Sequence, residues 1–155
     1  LLFFLMPRRP PRSPLHNTLF PYPTLFRSVS LNKTFDEAVE QVTAALKEEG
    51  FGVLTRINVH EALKEKIGVD FRPYTILGAC NPKLANRALS ARPEVGLLLP
   101  CNVTVEQTGD AECVVRIIDP DEMMTTGGFD SDPEIASVGR EAGASLRRVA
   151  EALGG

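Results

Sequence analysis

Three cysteines are the residues in this 155-residue sequence best suited to chemistry. Cys80 stands directly before Asn81 and Pro82, a pattern that opens a helix. A thiol there feels the positive end of the aligned peptide dipoles and releases its proton more readily, and a thiolate is a nucleophile. The plainer reading makes Cys80 a small hydrophobe ending a core strand. Cys101 repeats the arrangement after Pro100 and before Asn102. If the two strands are neighbours the thiols meet, and Asn81 and Asn102 supply polar groups beside them in a small-ligand pocket. Three functions are compatible with such a site. The first is a binding module for a small molecule or partner, without chemistry of its own. The second is a redox or sulfur-transfer enzyme with Cys80 as nucleophile and Cys101 as resolving thiol. The third is a carrier for a soft metal such as copper(I), held by Cys80, Cys101 and Met123. Twenty residues separate the two cysteines, which is neither the Cys-x-x-Cys redox spacing nor a zinc spacing. Cys113 falls on the apolar face of a strand and reads as core.

The other reactive side chains narrow the choice. His60 is the only histidine after residue 28, so a His-rich metal site is excluded, and its place in the first turn of a helix predicts that it faces water. Asp119, Asp121 and Glu122 read as the solvated start of a short helix in preference to a magnesium site. Gly127-Gly128 lacks the lysine of a phosphate loop, and no G-x-G-x-x-G occurs. With no acid and base at a workable spacing, a binding module is favoured over an enzyme. The residues identify no cofactor.

The elements that must position these residues follow from periodicity. Phe35, Ala38, Val39, Val42, Ala45 and Leu46 recur at helical steps between a Thr34–Glu37 capping box and Gly50. Phe51 to Asn58 alternates as a strand, and Asn58 with Glu61 caps a second helix that stops at Gly68. Tyr74 to Ala79 is a buried strand delivering Cys80, and residues 82–91 form a third helix with Pro82 at its first position. The apolar run from Val95 to Leu99 reads as a strand interrupted by Pro100. Val103 and Val105 then alternate with polar residues, Thr108-Gly109-Asp110 turns the chain, and Cys113, Val115 and Ile117 line the returning strand. A last helix starts near Ser131, capped with Glu134, and buries Ile135, Val138, Ala142, Leu146, Val149 and Leu153. This order predicts an α+β fold, a two-layer sandwich with helices on one face of a mixed, mainly antiparallel sheet.

Composition sets the outer limits. The length suits one domain, and no apolar run approaches the roughly 18 residues of a membrane span. An odd number of cysteines in a chain this long points to a reducing, cytoplasmic setting. Residues 1–28 carry four arginines, no acid and six of the twelve prolines, leaving 13 basic against 20 acidic side chains after them. That acidic remainder has no basic stripe for phosphates, which argues against nucleic acid. The first 28 residues show no structural period. Their stretches RRPPRS and TLFPYPTLFRS resemble translated sequencing-adapter sequence, so they are expected to be a disordered, non-native extension, with residues 29–155 forming the single domain.

Residues 68–103, GVDFRPYTILGACNPKLANRALSARPEVGLLLPCNV, resemble the bacterial and archaeal family called domain of unknown function 302. The resemblance includes Leu63 to Lys66, Cys80 to Pro82, Leu98 to Asn102 and Asp119 to Met124, and runs from about residue 29 to 153. It implies a compact two-layer domain that associates as a homodimer. The family has no established catalytic residues, so it implies none here.

Overall fold

The computed structural model describes residues 25–154. Five strands form one sheet in the order β1-β5-β4-β3-β2, where β1 is Phe26–Leu31, β2 Gly52–Asn58, β3 Tyr74–Cys80, β4 Cys101–Gly109 and β5 Glu112–Ile118. Every pairing is antiparallel, so the expected α+β sandwich is present with no parallel strand in its sheet. The helices are α1 Phe35–Glu48, α2 Val59–Ile67, α3 Pro82–Ala91, α4 Pro120–Thr126 and α5 Pro133–Ala152.

Alternation along the strands creates an inner and an outer face. Leu77 and Ala79 of β3, Val103 and Val105 of β4, and Val115 and Ile117 of β5 point inward and are essentially sealed from solvent. They meet Val42 and Leu46 of α1 and Leu146 and Val149 of α5 in one core. Each such side chain contributes about 1.5–3 kcal/mol through burial. A second, smaller cluster joins Ala88 of α3 with Val95, Met124 of α4, and Ile135 and Val138 of α5.

Local signals account for most helix ends; at α2 the expected Asn58 cap is absent, because its side chain accepts from no helix amide and its Nδ2 donates to Glu61 Oε2 at 2.9 Å. Thr34 and Glu37 form the expected capping box, the Thr34 amide donating to Glu37 Oε2 at 3.0 Å. Gly68 ends α2 at φ +70°, where a side chain would be strained. At Gly78, in β3, a Cβ would lie 2.3 Å from Thr55 Oγ1 and 2.7 Å from Pro100 Cγ. A larger residue there collides with both side chains.

Several expectations need correction. Residues 93–98 form a 3-10 helix, not a strand. Pro93 starts its first turn, and Val95 is buried against α5 and α4 instead of pairing in the sheet. The cap of α5 is Asp132, whose Oδ1 accepts from the Glu134 and Ile135 amides at 2.9 and 3.3 Å, not Ser131. Asp119 is not solvated: only 7% of it is exposed, its Oδ1 caps α4, and Arg147 and Arg27 approach it at 3.6 and 3.8 Å. The boundary drawn at residue 28 falls inside β1, which pairs Phe26 with Ile118 and Leu31 with Cys113. The Asp119 amide also donates to the Leu25 carbonyl at 2.8 Å. Six residues of FRSVSL are too short to show a period against a proline-rich background, and β5 supplies the ladder that makes them a strand. Residues 1–24, where the expected extension mainly lies, are outside the described residues.

Candidate functional site

Strand register brings the two predicted thiols to the same place. Cys80 is the last residue of β3 and Cys101 the first of β4, and the residue opposite Cys101 in the ladder is Ala79. The cysteines are therefore on adjacent strands and one step out of register. Both line a single cavity of about 20 Å³ between the end of the sheet, α3 and α5. Such a space accepts one water-sized occupant and no more. Leu84 and Ala88 of α3 and Val138 and Ala142 of α5 make its remaining wall almost wholly apolar.

The polar and sulfur groups are distributed differently from expectation. Asn81 reaches the cavity, but its Oδ1 is taken up as the cap of α3, accepting from the Lys83 and Leu84 amides at 3.1 and 3.3 Å. Asn102 follows Cys101 in β4, so alternation sends it to the outer face of the sheet, where it is exposed. It does not line the thiol cavity. Met123 is half-buried where the two hydrophobic clusters join. The methionine in the cavity wall is its neighbour Met124, 3% exposed. Helical geometry separates the two side chains by about 100°, so only one of an adjacent pair can face a given cavity. A Met-Met pair in sequence carries no signal for which one that is.

Burial governs the thiols. It pushes Cys101 up to about 12, with the neighbouring Cys80 adding to the effect, and it raises Cys80 as well. The helix start was expected to lower Cys80, but burial of the charged form raises it. Both groups are thiols at neutral pH. Cys113 is core, as expected, with Sγ 3.5 Å from the Lys33 carbonyl that it donates to.

His60 takes no part in this cavity. Its Nδ1 accepts from the Tyr74 amide at 3.1 Å, and its ring stands edge-on to Phe35 at 5.8 Å, so it is tucked against β3 instead of facing water. Among the described residues no group of three His, Cys, Asp or Glu is placed to hold a metal ion. The cavity's possible soft donors are two thiols and the Met124 thioether.

A polar cluster on the outer sheet face was not foreseen. Glu106 looks like a solvent-facing residue in an alternating strand, yet only 6% of it is exposed. Arg116 donates to it at 2.6 Å, and Arg72 donates to its other oxygen. Burial raises the carboxyl, but the two guanidinium hydrogen bonds prevail and hold it below the usual carboxylate value. The cross-strand neighbour of Thr104 is Arg116, so the signal lay in a register that sequence alone does not specify.

Fold and cavity together define a small α+β protein whose helix-backed antiparallel sheet presents two protonated thiols to a space of atomic size. The chain belongs to the family described as domain of unknown function DUF302, whose profile matches residues 27–153. The crystal structure of an uncharacterized conserved DUF302 protein from Bacillus stearothermophilus is similar to it. The two share 30% sequence identity and a TM-score of 0.72 over 84% of this chain and 98% of that one. No curated protein matches the chain. Among the described residues no helix is long and apolar enough to cross a membrane.

Proposed function

We propose that this chain is a binding protein and not an enzyme, working as a cytoplasmic homodimer, and that its small-ligand site is the cavity shared by Cys80 and Cys101. The observation that carries this reading is the size of that cavity together with its sulfur lining. A space of about 20 Å³ walled by Leu84, Ala88 and Val138 suits a single ion or a very small apolar molecule. Of those, a soft monovalent metal such as copper(I) is favoured, because thiols and a thioether are its preferred donors. Cys80 and Cys101 would each bind the metal as a thiolate, releasing their protons to solvent, and Met124 would supply a third sulfur in place of the expected Met123. Asn81, committed to capping α3, and Asn102, on the far face, lend no donor to this site.

A thiol-dependent enzyme receives less support. Burial raises both thiols, and His60, the nearest thing to a general base in the sequence, is engaged with Tyr74. An activated nucleophile needs the opposite arrangement.

The test is an anaerobic titration of the reduced protein with copper(I) against a chromophoric copper(I) chelator. The expected result is one ion per chain, protection of Cys80 and Cys101 together from alkylation, and loss of binding in Cys80→Ser and Cys101→Ser. Because each coordinated thiol releases a proton, affinity should rise about 100-fold per pH unit between pH 6 and 8. Failure to compete with the chelator at any pH in that range, or binding that survives both serine variants, rejects the metal.

A further inference from the structure

Helix α3 closes one side of the cavity that holds the two thiols: its Leu84, Ala85 and Ala88 line that space together with Gly139 and Ala142 of α5. Outside lies an open groove of about 350 Å³ lined by Asn81, Lys83, Leu84, Arg87, Glu141 and Ser145. Asn81 and Leu84 border both spaces, so the half-buried Leu84 side chain stands between solvent and sulfur. Of the cavity walls, α3 is held least by burial. Only Ala88 of its ten residues is buried, and an alanine contributes little on leaving water. By contrast α5 buries eight of its twenty, and β3 and β4 are held in the ladder. Each end of α3 is a single extended residue, Asn81 at φ −94°, ψ 112° and Arg92 at φ −144°, ψ 97°. Such joints absorb a small rotation of a helix without unwinding it.

The polar hold of α3 on α5 comes through Arg87. Its Nε donates to Glu134 Oε1 at 2.7 Å, its Nη1 to the two oxygens of Glu141 at 2.9 and 2.8 Å, and its Nη2 to Ser137 Oγ at 3.5 Å. These partners follow one another at three- and four-residue steps, which makes them one stripe of α5, so a single guanidinium grips two turns. We infer that α3 is the door of the thiol cavity and Arg87 its latch: the ligand passes from the outer groove past Leu84 when the Arg87 contacts let go. The inference rests on the reading that this cavity is the ligand site, and names how the site is entered. Only 5% of Cys101 is exposed, so an element must move before anything reaches it. Because the latch is charged and open to solvent, salt weakens it, whereas the apolar contacts beneath are not screened.

The test follows alkylation of Cys101 by iodoacetamide in the reduced, metal-free full chain, where the rate reports how often the door opens. Arg87→Gln removes the charge and should speed Cys101 about tenfold, the loss expected of two exposed ion pairs made by one fork. Sodium chloride at about 1 M should bring the wild type most of the way to that rate and barely move the variant. Leu84→Ala, which thins the partition, should speed Cys101 at low and high salt alike. Arg148→Gln is the control. It breaks an equally close fork, Arg148 on Glu49 at 2.7–3.1 Å, whose residues do not line the cavity, and should leave Cys101 unchanged. A Cys101 rate indifferent to Arg87→Gln, or raised as much by Arg148→Gln, overturns the latch and assigns exposure to unfolding of the whole domain. Leu84→Ala without effect overturns the route. If Arg87→Gln fails to fold by circular dichroism, the salt response carries the test, and it should be the same in wild type and Arg148→Gln. Loaded with copper(I), Arg87→Gln should surrender the ion to the chelator about tenfold faster at unchanged affinity, since a door alters entry and exit alike. A chain that binds no copper(I) but shows the alkylation pattern loses the metal and keeps the door. One that binds copper(I) with neither rate altered keeps the metal and loses the door.

Discussion

The reactivity of Cys101 gives the sharpest check on the site. At pH 8 a thiol raised from 9.0 to about 12 holds a thiolate fraction about a thousandfold smaller than an ordinary cysteine. A more basic thiolate is also a better nucleophile. With a Brønsted slope of about 0.4–0.5, three units of basicity recover a factor of roughly 15–30. The net expectation from ionisation and nucleophilicity together is alkylation about 30- to 60-fold slower than a free cysteine, and slower still because only 5% of Cys101 is exposed. Cys80, half-buried, should react faster than Cys101 but with a midpoint above that of a free thiol. The assay is alkylation of the reduced, metal-free chain across a pH series, each cysteine followed by mass spectrometry. A midpoint for Cys80 or Cys101 well below about 8.5 would refute the claim that burial raises these thiols. It would return the thiol enzyme to first place.

Two further outcomes follow from the same structure. Glu106→Gln should destabilise the fold by about 1–2 kcal/mol at pH 7, discounted from the usual cost of breaking a buried pair because both arginines are substantially solvated. Since the folded state holds this carboxyl below its ordinary value, its contribution is present above about pH 4.3 and lost as pH falls through the folded value. Urea denaturation of wild type and variant should therefore converge in acid, and a gap that stays constant to pH 2 contradicts the ion-pair account. Asn81→Ala removes the acceptor for the first amides of α3 and should cost about 1 kcal/mol. Hydrogen exchange would speed up at Lys83 and Leu84 first, and unchanged protection there would show that the cap is dispensable.

Much of the local structure was legible because it is encoded over short distances. Thr34 with Glu37, Asn81 with Pro82, and Gly68 act within a few residues, so α1, α2 and α3 have sequence signatures at their ends. Residues 93–98 depart from the strand reading for a related reason: an apolar run without a period fits a strand or a tight helix equally, and burial of Val95 against α4 and α5 decides between them. Strand β1 was hidden because it has little preference of its own and exists by pairing with β5.

The candidate site divides along the same line. Residue types alone determined that Cys80 follows a core strand, that Asn81 caps a helix, and that the domain is acidic and of one α+β class; that Cys101 opens a strand was settled by the fold. Only the tertiary structure decided that the two strands are neighbours, that Met124 and not Met123 faces the cavity, and that Asn102 belongs to the opposite face. It also decided the protonation of the thiols. A dipole at a helix start is a local quantity and can be read from sequence. Desolvation depends on what every other element packs around the sulfur, and here that packing prevails.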